Sequence, residues 1–521
     1  MDGRHEIARV VCLGLCIFAI FAQEPCSRSV DIAIVGAGPA GSYSAYKLRN
    51  KNLNIELFEF SNRVGGRLYT ATLSGMSDVL LEMGGMRFYK EVHSTVFQLM
   101  DELGLSYGPF NEIRSNLSDA RYYIRGNSLT YKEMLSESVP FQLSPEEKAN
   151  QGRLVRYYLE KLTGFNGDEL TEEILESLNT TSGRKLYEIP PSEALVGIAT
   201  PDGKEMVKAL SKFESLVDLD CSLCIWETEL YHDKEISTVR QGMSSIPRRL
   251  TRKFLKTNDK HKLTYNRRLM SVSDRQSDGY HLLFQHTETA DGVTTNLPTN
   301  ETVCAQKVVL ALPKFALQKI NWSPLREQKY IDHLNSVRLV YLSKVFLTYP
   351  TPWWRTLATN KANVTYSDLH FSQFFDWGRS NESGEYVMMA SYADHSKTEF
   401  LAKLNANGPL VNGSEPGDGK VSQELVDTIL DELTQAFNIN RNDIPEPIRA
   451  FSKFWNSDPF GGAIALWRAG YRYEDVIPVV QRPSEKDEVY VVGSDFSKHH
   501  RVLWTEGALS TVDRMIENYV W

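Results

Sequence analysis

The stretch VDIAIVGAGPAGSYSAYKLRNKNLNIELFEF, Val30–Phe60, limits the fold more than any other part of the 521-residue chain. Val30–Val35 is a short apolar run suited to a buried strand. Pro39–Asn50 reads as a helix, with Ala37, Ala40, Ser44 and Leu48 at helix-face spacing, and Asn54–Phe58 predicts the next strand. Between strand and helix, Gly36, Gly38 and Gly41 fall at G-x-G-x-x-G spacing. Gly36 permits the tight turn, Gly38 lets a pyrophosphate approach the backbone, and Gly41 lets the helix close on the sheet. Pro39 and Ala40 open the helix, where free N–H groups and the dipole favour an anion. Glu59 lies 23 residues after Gly36 at the end of the second strand. A carboxylate there accepts hydrogen bonds from ribose hydroxyls and repels a 2′-phosphate, which disfavours NADP. Taken together these signals specify a dinucleotide site. They leave NAD and FAD open.

The rest of that domain is expected in separated pieces. "KVVLALP" (Lys307–Pro313) reads as a buried strand, and "VYVVGSDFS" (Val489–Ser497) as another that ends in glycine. Residues 105–235 are rich in Leu, Glu and Lys, as in "SPEEKANQGRLVRYYLEKL", and read as a helical insertion. From Asn321 to Phe451, segments such as "SKVFLTY" and "EYVMMASYA" read as strands of a second sheet domain. Asn405–Lys420 is polar and predicts a surface loop. The expected division is 1–22, 28–105, 106–235, 236–320, 321–455 and 456–521, with the second, fourth and sixth segments forming the nucleotide domain.

The N-terminus sets the compartment. Arg4, His5 and Arg9 precede an apolar run of 13 residues, Val10–Ala22, followed by Gln23-Glu24-Pro25. A bilayer span takes about 20 residues, so this reads as a secretory signal peptide, with the mature chain starting near Gln23. No later stretch reads as a membrane span. Seven N-x-[S/T] sequons, at Asn116, Asn179, Asn300, Asn321, Asn363, Asn381 and Asn412, agree with export. Of six cysteines, Cys12 and Cys16 fall in the signal, leaving Cys26, Cys221, Cys224 and Cys304 with three possible pairings. Cys221-x-x-Cys224 has no second ligand pair for zinc, so structural disulfides are expected, with Cys26 tied to the 221/224 region as one arrangement. A net charge of −8 offers no basic excess for a nucleic-acid partner. The eleven histidines form no cluster with acids at metal-ligand spacing, so no metal is expected.

The residues after Glu59 decide the cofactor. "SNRVGGRLYT" (Ser61–Thr70) and "LEMGGMRFY" (Leu81–Tyr89) each carry a glycine pair followed by arginine. With these the chain resembles the FAD-dependent amine oxidase superfamily. The fold this implies is α/β: a Rossmann-like FAD-binding domain of glutathione-reductase and amine-oxidase type, a mixed-sheet substrate domain and a helical insertion. Gly65, Gly66 and Arg67, and in the second segment Gly85, Met86 and Arg87, inherit contacts with FAD from the resemblance. "RQGMSSIPRRL" (Arg240–Leu250) and "NRRLMSV" (Asn266–Val272) extend it, with Leu269 implied to touch the adenine by its backbone. "SKVFLTY" puts Lys344 where these oxidases keep a lysine beside flavin N5. "WNSDPFGGAIALW" (Trp455–Trp467) and "VYVVGSDFS…VLWTEGALST" (Val489–Thr511) match the C-terminal flavin segment, bringing in Gly493, Ser494, Asp495, Trp504 and Thr505. Two departures stand out. Gly493-Ser494 replaces the usual Gly-Glu, and Arg501-Val502-Leu503-Trp504 replaces the usual lead-in.

Arg87, in "GGMRF", stands where secreted L-amino-acid oxidases keep an arginine for the substrate carboxylate. A guanidinium suits that task, being planar, always charged and able to make two parallel bonds. The wording of several segments is similar to the mollusc L-amino-acid oxidases of mucus, ink and egg masses, the achacin, aplysianin and escapin group. The reaction implied is hydride transfer from Cα–H to flavin N5, hydrolysis of the imino acid to a 2-oxo acid and ammonia, and reoxidation by O2 to hydrogen peroxide. The partners implied are a small amino acid, with basic ones among the candidates, and O2. Lys344 would hold a water near N5, His232 would act as a base on the substrate ammonium, and Trp504 and Phe375 would wall the pocket. A secreted amine or polyamine oxidase, and a catalytically inactive coat glycoprotein of the same fold, are the competing readings. A homo-oligomer is left open.

Overall fold

The computed structural model describes residues 25–110, 120–231, 234–274, 279–361, 363–498, 504–519 and 521. The segment expected to be a signal peptide, His232 and the sequon at Asn116 lie outside the described residues. The first strand, β1 (Arg28–Val35), leads through the glycine turn into helix α1 (Pro39–Leu48) and then strand β2 (Ile55–Phe58). β1 alternates Val and Ile with small residues and is buried along most of its length, as a strand covered on both faces requires. α1 opens with Pro39 at a position that needs no N–H donor, and it is buried nearly all round.

Seven strands make the first sheet. In the order Lys262–Thr264, β2, β1, Val293–Leu310, Tyr280–Ala290 and Arg267–Asp274 they are hydrogen-bonded neighbours, and Val489–Val491 pairs separately with Val293–Leu310. β1, β2, Lys262–Thr264 and Val489–Val491 run parallel to their partners, whereas the hairpin at 267–290 is antiparallel. Register puts Val35 beside both Phe58 and Leu310, with Val491 beside Leu310 on the far side. The carboxyl ends of four strands, drawn from three stretches of sequence, therefore meet at one edge. α1 lies on one face with helices Ser245–Thr257 and Thr505–Asn518, joined by Thr251 donating to Ser42 and Tyr43 donating to Asp513.

The second sheet also has seven strands, in the order Arg449–Phe454, Leu342–Tyr349, Tyr386–Asp394, Gln373–Arg379, Val364–Ser367, Ala120–Ile124 and Asn127–Thr130. The last two come from the segment expected to be a helical insertion. That segment does hold helices, Pro145–Ala149 and Leu154–Thr163 among them, but "ARYYI" at 120–124 carries the aromatic and β-branched residues that suit a pleated surface. It turns through Arg125-Gly126 into a local hairpin with Asn127–Thr130, and its other partner lies some 240 residues downstream, where Ala120 faces Val364. A further two-stranded pair joins Val337–Val340 to Ile464–Trp467. One apolar core lies between the second sheet and the helices of the insertion, and another between the first sheet and its helices. Among the described residues no helix is long and apolar enough to cross a membrane.

The disulfides correct the expected tie between Cys26 and the 221/224 region. Cys26 is bonded to Cys304, and Cys221 to Cys224. The cause is register: β1 runs parallel to Val293–Leu310 with Ser29 opposite Cys304, which brings the residue just ahead of β1 to that cysteine. Cys26, Cys304 and His281 approach closely enough to suggest metal ligands, but the two sulfurs are bonded to each other.

Candidate active site

The turns that leave the four strand ends line one cavity of about 850 Å³. Gly36, Gly38, Pro39 and Ala40 contribute from the first turn, Glu59 from the second, Ala311–Pro313 from the third, and Gly493 and Ser494 from the fourth. Such a crevice at the carboxyl ends of parallel strands is where open α/β sheets bind ligands. Gly36 has φ +100°, and a Cβ there would meet the Ala311 carbonyl oxygen at 2.4 Å. A Cβ on Gly41 would lie 1.7 Å from the Gly36 oxygen, so this glycine sets helix against turn without reaching the cavity. Gly66, with φ +53°, faces Gly38: a Cβ on Gly66 would come within 3.1 Å of the Gly38 Cα. Both line the cavity, which leaves a groove of bare backbone at the start of α1. Phosphate groups fit such a groove.

Side chains finish this part of the wall. Glu59 Oε2 accepts from the Ala37 N–H at 2.8 Å, and Oε1 accepts from the N–H and hydroxyl of Ser61. Arg67 lines the cavity and donates to Ser494 Oγ at 2.8 Å, Asp495 Oδ1 at 2.5 Å and the Ala463 carbonyl at 3.2 Å. Asp495, buried, also accepts from the Lys314 N–H at 2.9 Å. It is not on the cavity wall, unlike Ser494 beside it; it holds Arg67 from behind. Leu269, Trp504 and Thr505 line the cavity. Arg63 escaped the sequence reading although it stands between Glu59 and Gly65. It is half-buried, lies 4.3 Å over the Tyr69 ring and donates to the Gly66 carbonyl, while its buried Nη1 has no hydrogen-bond partner. Burial pulls its pKa below the ordinary arginine value.

The second glycine pair packs onto the first segment. The Gly85 N–H donates to the Arg67 carbonyl at 3.1 Å, and a Cβ on Gly84 would lie 1.9 Å from that oxygen. Lys344, 3 % exposed, donates to the carbonyls of Glu82 at 2.8 Å and Gly84 at 2.6 Å and touches Met86 Sδ at 3.3 Å. In this structure the ammonium fastens the glycine segment to the second sheet. Its neighbour in strand register is Tyr392, whose ring it overlies at 4.9 Å. Burial pushes the Tyr392 hydroxyl up to about 12, against the opposing pull of the Arg87 charge.

Gly85, Met86 and Arg87 all line the cavity, with Phe110, Phe375 and Tyr392 around the arginine's part of the wall. The Arg87 guanidinium sits 5.9 Å over the Phe110 ring. Among the described residues it has no carboxylate partner and no hydrogen bond. Trp504 lies near Tyr89, ring centroids 6.3 Å apart, and near the buried His93. Ile225, Glu227 and Cys224 come from the insertion and carried no sequence signal for the site. Tyr392 could have been found only by pairing strands, since nothing in "EYVMMASYA" marks it.

Fold and site together define a dinucleotide-dependent oxidoreductase: a phosphate groove on parallel strand ends opens into an aromatic pocket with one arginine. The chain belongs to the family of flavin-containing amine oxidoreductases, whose model matches residues 40–512. It is 45% identical over 497 residues to achacin of Lissachatina fulica, covering 95% of this chain and 94% of that protein. It is 42% identical over 508 residues to aplysianin-A of Aplysia kurodai, covering 95% and 91%. An L-amino-acid oxidase of Bungarus fasciatus is 22% identical over 462 residues, covering 88% and 81%. Among solved structures, wild-type putrescine oxidase bound to putrescine shares the fold, with a TM-score of 0.66 at 18% identity over 94% of this chain and 98% of that one. The cofactor is FAD, and the backbone groove between Gly38 and Gly66, with Glu59 at one side and Arg67 at the other, fits it.

Proposed function

We propose that the chain is an exported L-amino-acid oxidase. Bound FAD supplies the two-electron oxidation of the Cα–N bond and passes the electrons to O2. The observation that carries this reading is Arg87. A partly buried guanidinium with no anionic partner among the described residues is costly unless a ligand supplies one. An α-carboxylate does so with two parallel bonds. That contact fixes the substrate's Cα among Phe375, Tyr392 and Trp504, whose rings exclude water from the reacting bond. Lys344 keeps the Gly84–Met86 segment in place. Its contact with the thioether is the weakest of the three, and a water displacing it would stand ready to hydrolyse the imino acid.

Glu227, a buried carboxylate on the cavity wall, favours a basic substrate side chain. Export is supported by the two disulfides and by the sequons, of which Asn179, Asn300, Asn321, Asn381 and Asn412 are exposed. Peroxide released outside the cell would suit a defensive role. The test is peroxide release by the purified holoprotein with L-lysine, L-arginine and L-leucine against putrescine and spermine. Turnover of the amino acids is expected. Turnover of the amines alone would overturn the reading.

A further inference from the structure

The two disulfides differ in where they lie. Cys26–Cys304 spans 278 residues and staples β1 to its neighbour in the first sheet. Cys221–Cys224 spans three residues, and Cys224 is on the wall of the active cavity. A bond closing so short a loop constrains the unfolded chain little, so its position calls for another explanation. The loop is held rigidly. Ser222 N–H donates to the Trp467 carbonyl at 2.7 Å, Ser222 Oγ to the Tyr187 carbonyl at 3.0 Å, and Cys221 pairs across a backbone bridge with Arg468. Leu223, between the two cysteines, has φ +55°, a conformation that a branched side chain adopts at a cost.

The surroundings suit thiol chemistry. Cys221 and Cys224 pack with Leu219, Val340 and Leu466, and Trp504 lies against the same cluster. Both cysteines are buried, 2 % and 3 % exposed, so attack comes through the cavity and at Cys224. Cys221 Sγ lies 3.7 Å from the Leu216 carbonyl, which would accept its S–H once the bond opens. Arg468, bridged to Cys221 through the backbone, pairs its guanidinium with Asp220 at 3.4 Å.

We propose that Cys221–Cys224 is a second redox site, through which the enzyme oxidises small thiols at the expense of peroxide. A thiolate entering the cavity attacks Cys224 Sγ, the S–S bond breaks, and Cys221 leaves as a thiolate. A second thiolate displaces Cys224 from the mixed disulfide and departs as the external disulfide. The Cys224 thiolate then attacks one oxygen of hydrogen peroxide; the O–O bond breaks, the other oxygen leaves as water after taking a proton, and Cys224 becomes a sulfenic acid. The Cys221 thiol attacks that sulfur, and a second water leaves as the disulfide re-forms. The balance is two thiols and one peroxide to one disulfide and two waters. The inference rests on the oxidase reading only for the source of peroxide.

The test uses the holoprotein under native conditions. It is treated with a limited amount of glutathione, alkylated at intervals, and the cysteine peptides are quantified by mass spectrometry. Cys221 and Cys224 should become alkylated at least about tenfold faster than Cys26 and Cys304. After removal of glutathione, one equivalent of added hydrogen peroxide should restore the bond and abolish labelling. Opening of both disulfides at one rate overturns the proposal, and so does failure of added peroxide to re-form the reduced pair faster than buffer does. Amino acid in air should restore it as well. Restoration by added peroxide but not by amino acid would keep the redox site and refute the oxidase reading. Cys221→Ser, which leaves Cys224 without its resolving partner, should convert disulfide re-formation into stable sulfenic acid trapped by dimedone; no trapping in a folded, flavin-coloured variant overturns the assignment.

Discussion

The two parts of the cavity wall are made of different material. The nucleotide part is mostly backbone: glycines 36, 38 and 66, the turns that follow four strand ends, and the start of α1, with the Glu59 and Arg67 side chains at its sides. The part we assign to the substrate is side chains, Arg87, Phe110, Ile225, Lys344, Phe375 and Tyr392, brought together from segments hundreds of residues apart. Where the turn packs on its neighbours, at Gly36 and Gly41, it tolerates no added atom, because a Cβ would meet backbone at 2.4 and 1.7 Å. A wall of side chains can be altered one group at a time and still enclose a ligand. Damage to the first should therefore remove the flavin, whereas damage to the second should change which substrate is oxidised.

The sharpest test of that contrast is Gly41→Ala. The added carbon would sit 1.7 Å from the Gly36 oxygen, inside the turn that the whole groove depends on. Helix and strand must separate, which costs more than about 4 kcal/mol and yields little soluble, flavin-coloured protein. Soluble expression and visible absorbance measure it, and normal colour would show that the turn yields. Arg87→Ala is its counterpart on the other wall. Losing a buried charge partner costs about 2–5 kcal/mol, so kcat/KM for L-amino acids should fall roughly 10²–10³-fold with flavin content unchanged. Loss of flavin in this variant would break the division between the walls.

The same contrast explains what could be read from the sequence. The β1–α1–β2 unit and Glu59 are local: strand, turn, helix and acid lie within 32 residues, and each obeys a spacing that the chain itself displays. Arg87 and Lys344 became visible only through the likeness to a family, since neither an arginine after glycines nor a lysine in a strand is diagnostic alone. Tyr392, Glu227 and Cys224 were silent because long-range pairing puts them at the cavity. The pairing of Cys26 with Cys304 was hidden for the same reason: it follows from the register of two strands separated by more than 250 residues. Asp495 was assigned to the flavin by position in a motif, but a motif does not reveal that its side chain turns away from the cavity to hold Arg67.

That second layer gives a smaller effect. In Asp495→Asn the carboxylate facing Arg67 and the Lys314 N–H becomes a neutral amide, which loses about 1.5–3 kcal/mol of charge-assisted bonding. Flavin should dissociate roughly ten- to a hundredfold more readily, while KM for the amino acid stays near its original value. Dialysis against a flavin-free buffer, followed by absorbance, separates the two quantities. A rise in KM with full flavin retention would place Asp495 with the substrate wall instead.

The smallest expected effect lies where the walls join. Glu82 accepts from the Met243 N–H at 2.9 Å and from Thr70 Oγ1 at 2.9 Å, and burial pushes its carboxyl up to about 7, with Lys344 pulling the other way. A carboxyl raised in the folded state binds its proton more tightly there than in the unfolded chain. Its contribution to stability is therefore full below the ordinary carboxyl range and is lost as pH rises towards 7. The Arg-paired Glu301 and Lys-paired Glu488 are shifted downward and act in the opposite sense, losing stability as pH falls. Subtracting the Tm–pH curve of Glu82→Gln from that of the native protein isolates Glu82, because the other carboxylates cancel. The difference should decline between the ordinary carboxyl range and neutrality, and the variant should gain stability with rising pH more steeply than the native protein, because Glu82 no longer opposes Glu301 and Glu488. A flat difference would mean that Glu82 is ionised throughout and that the Lys344 charge outweighs its burial.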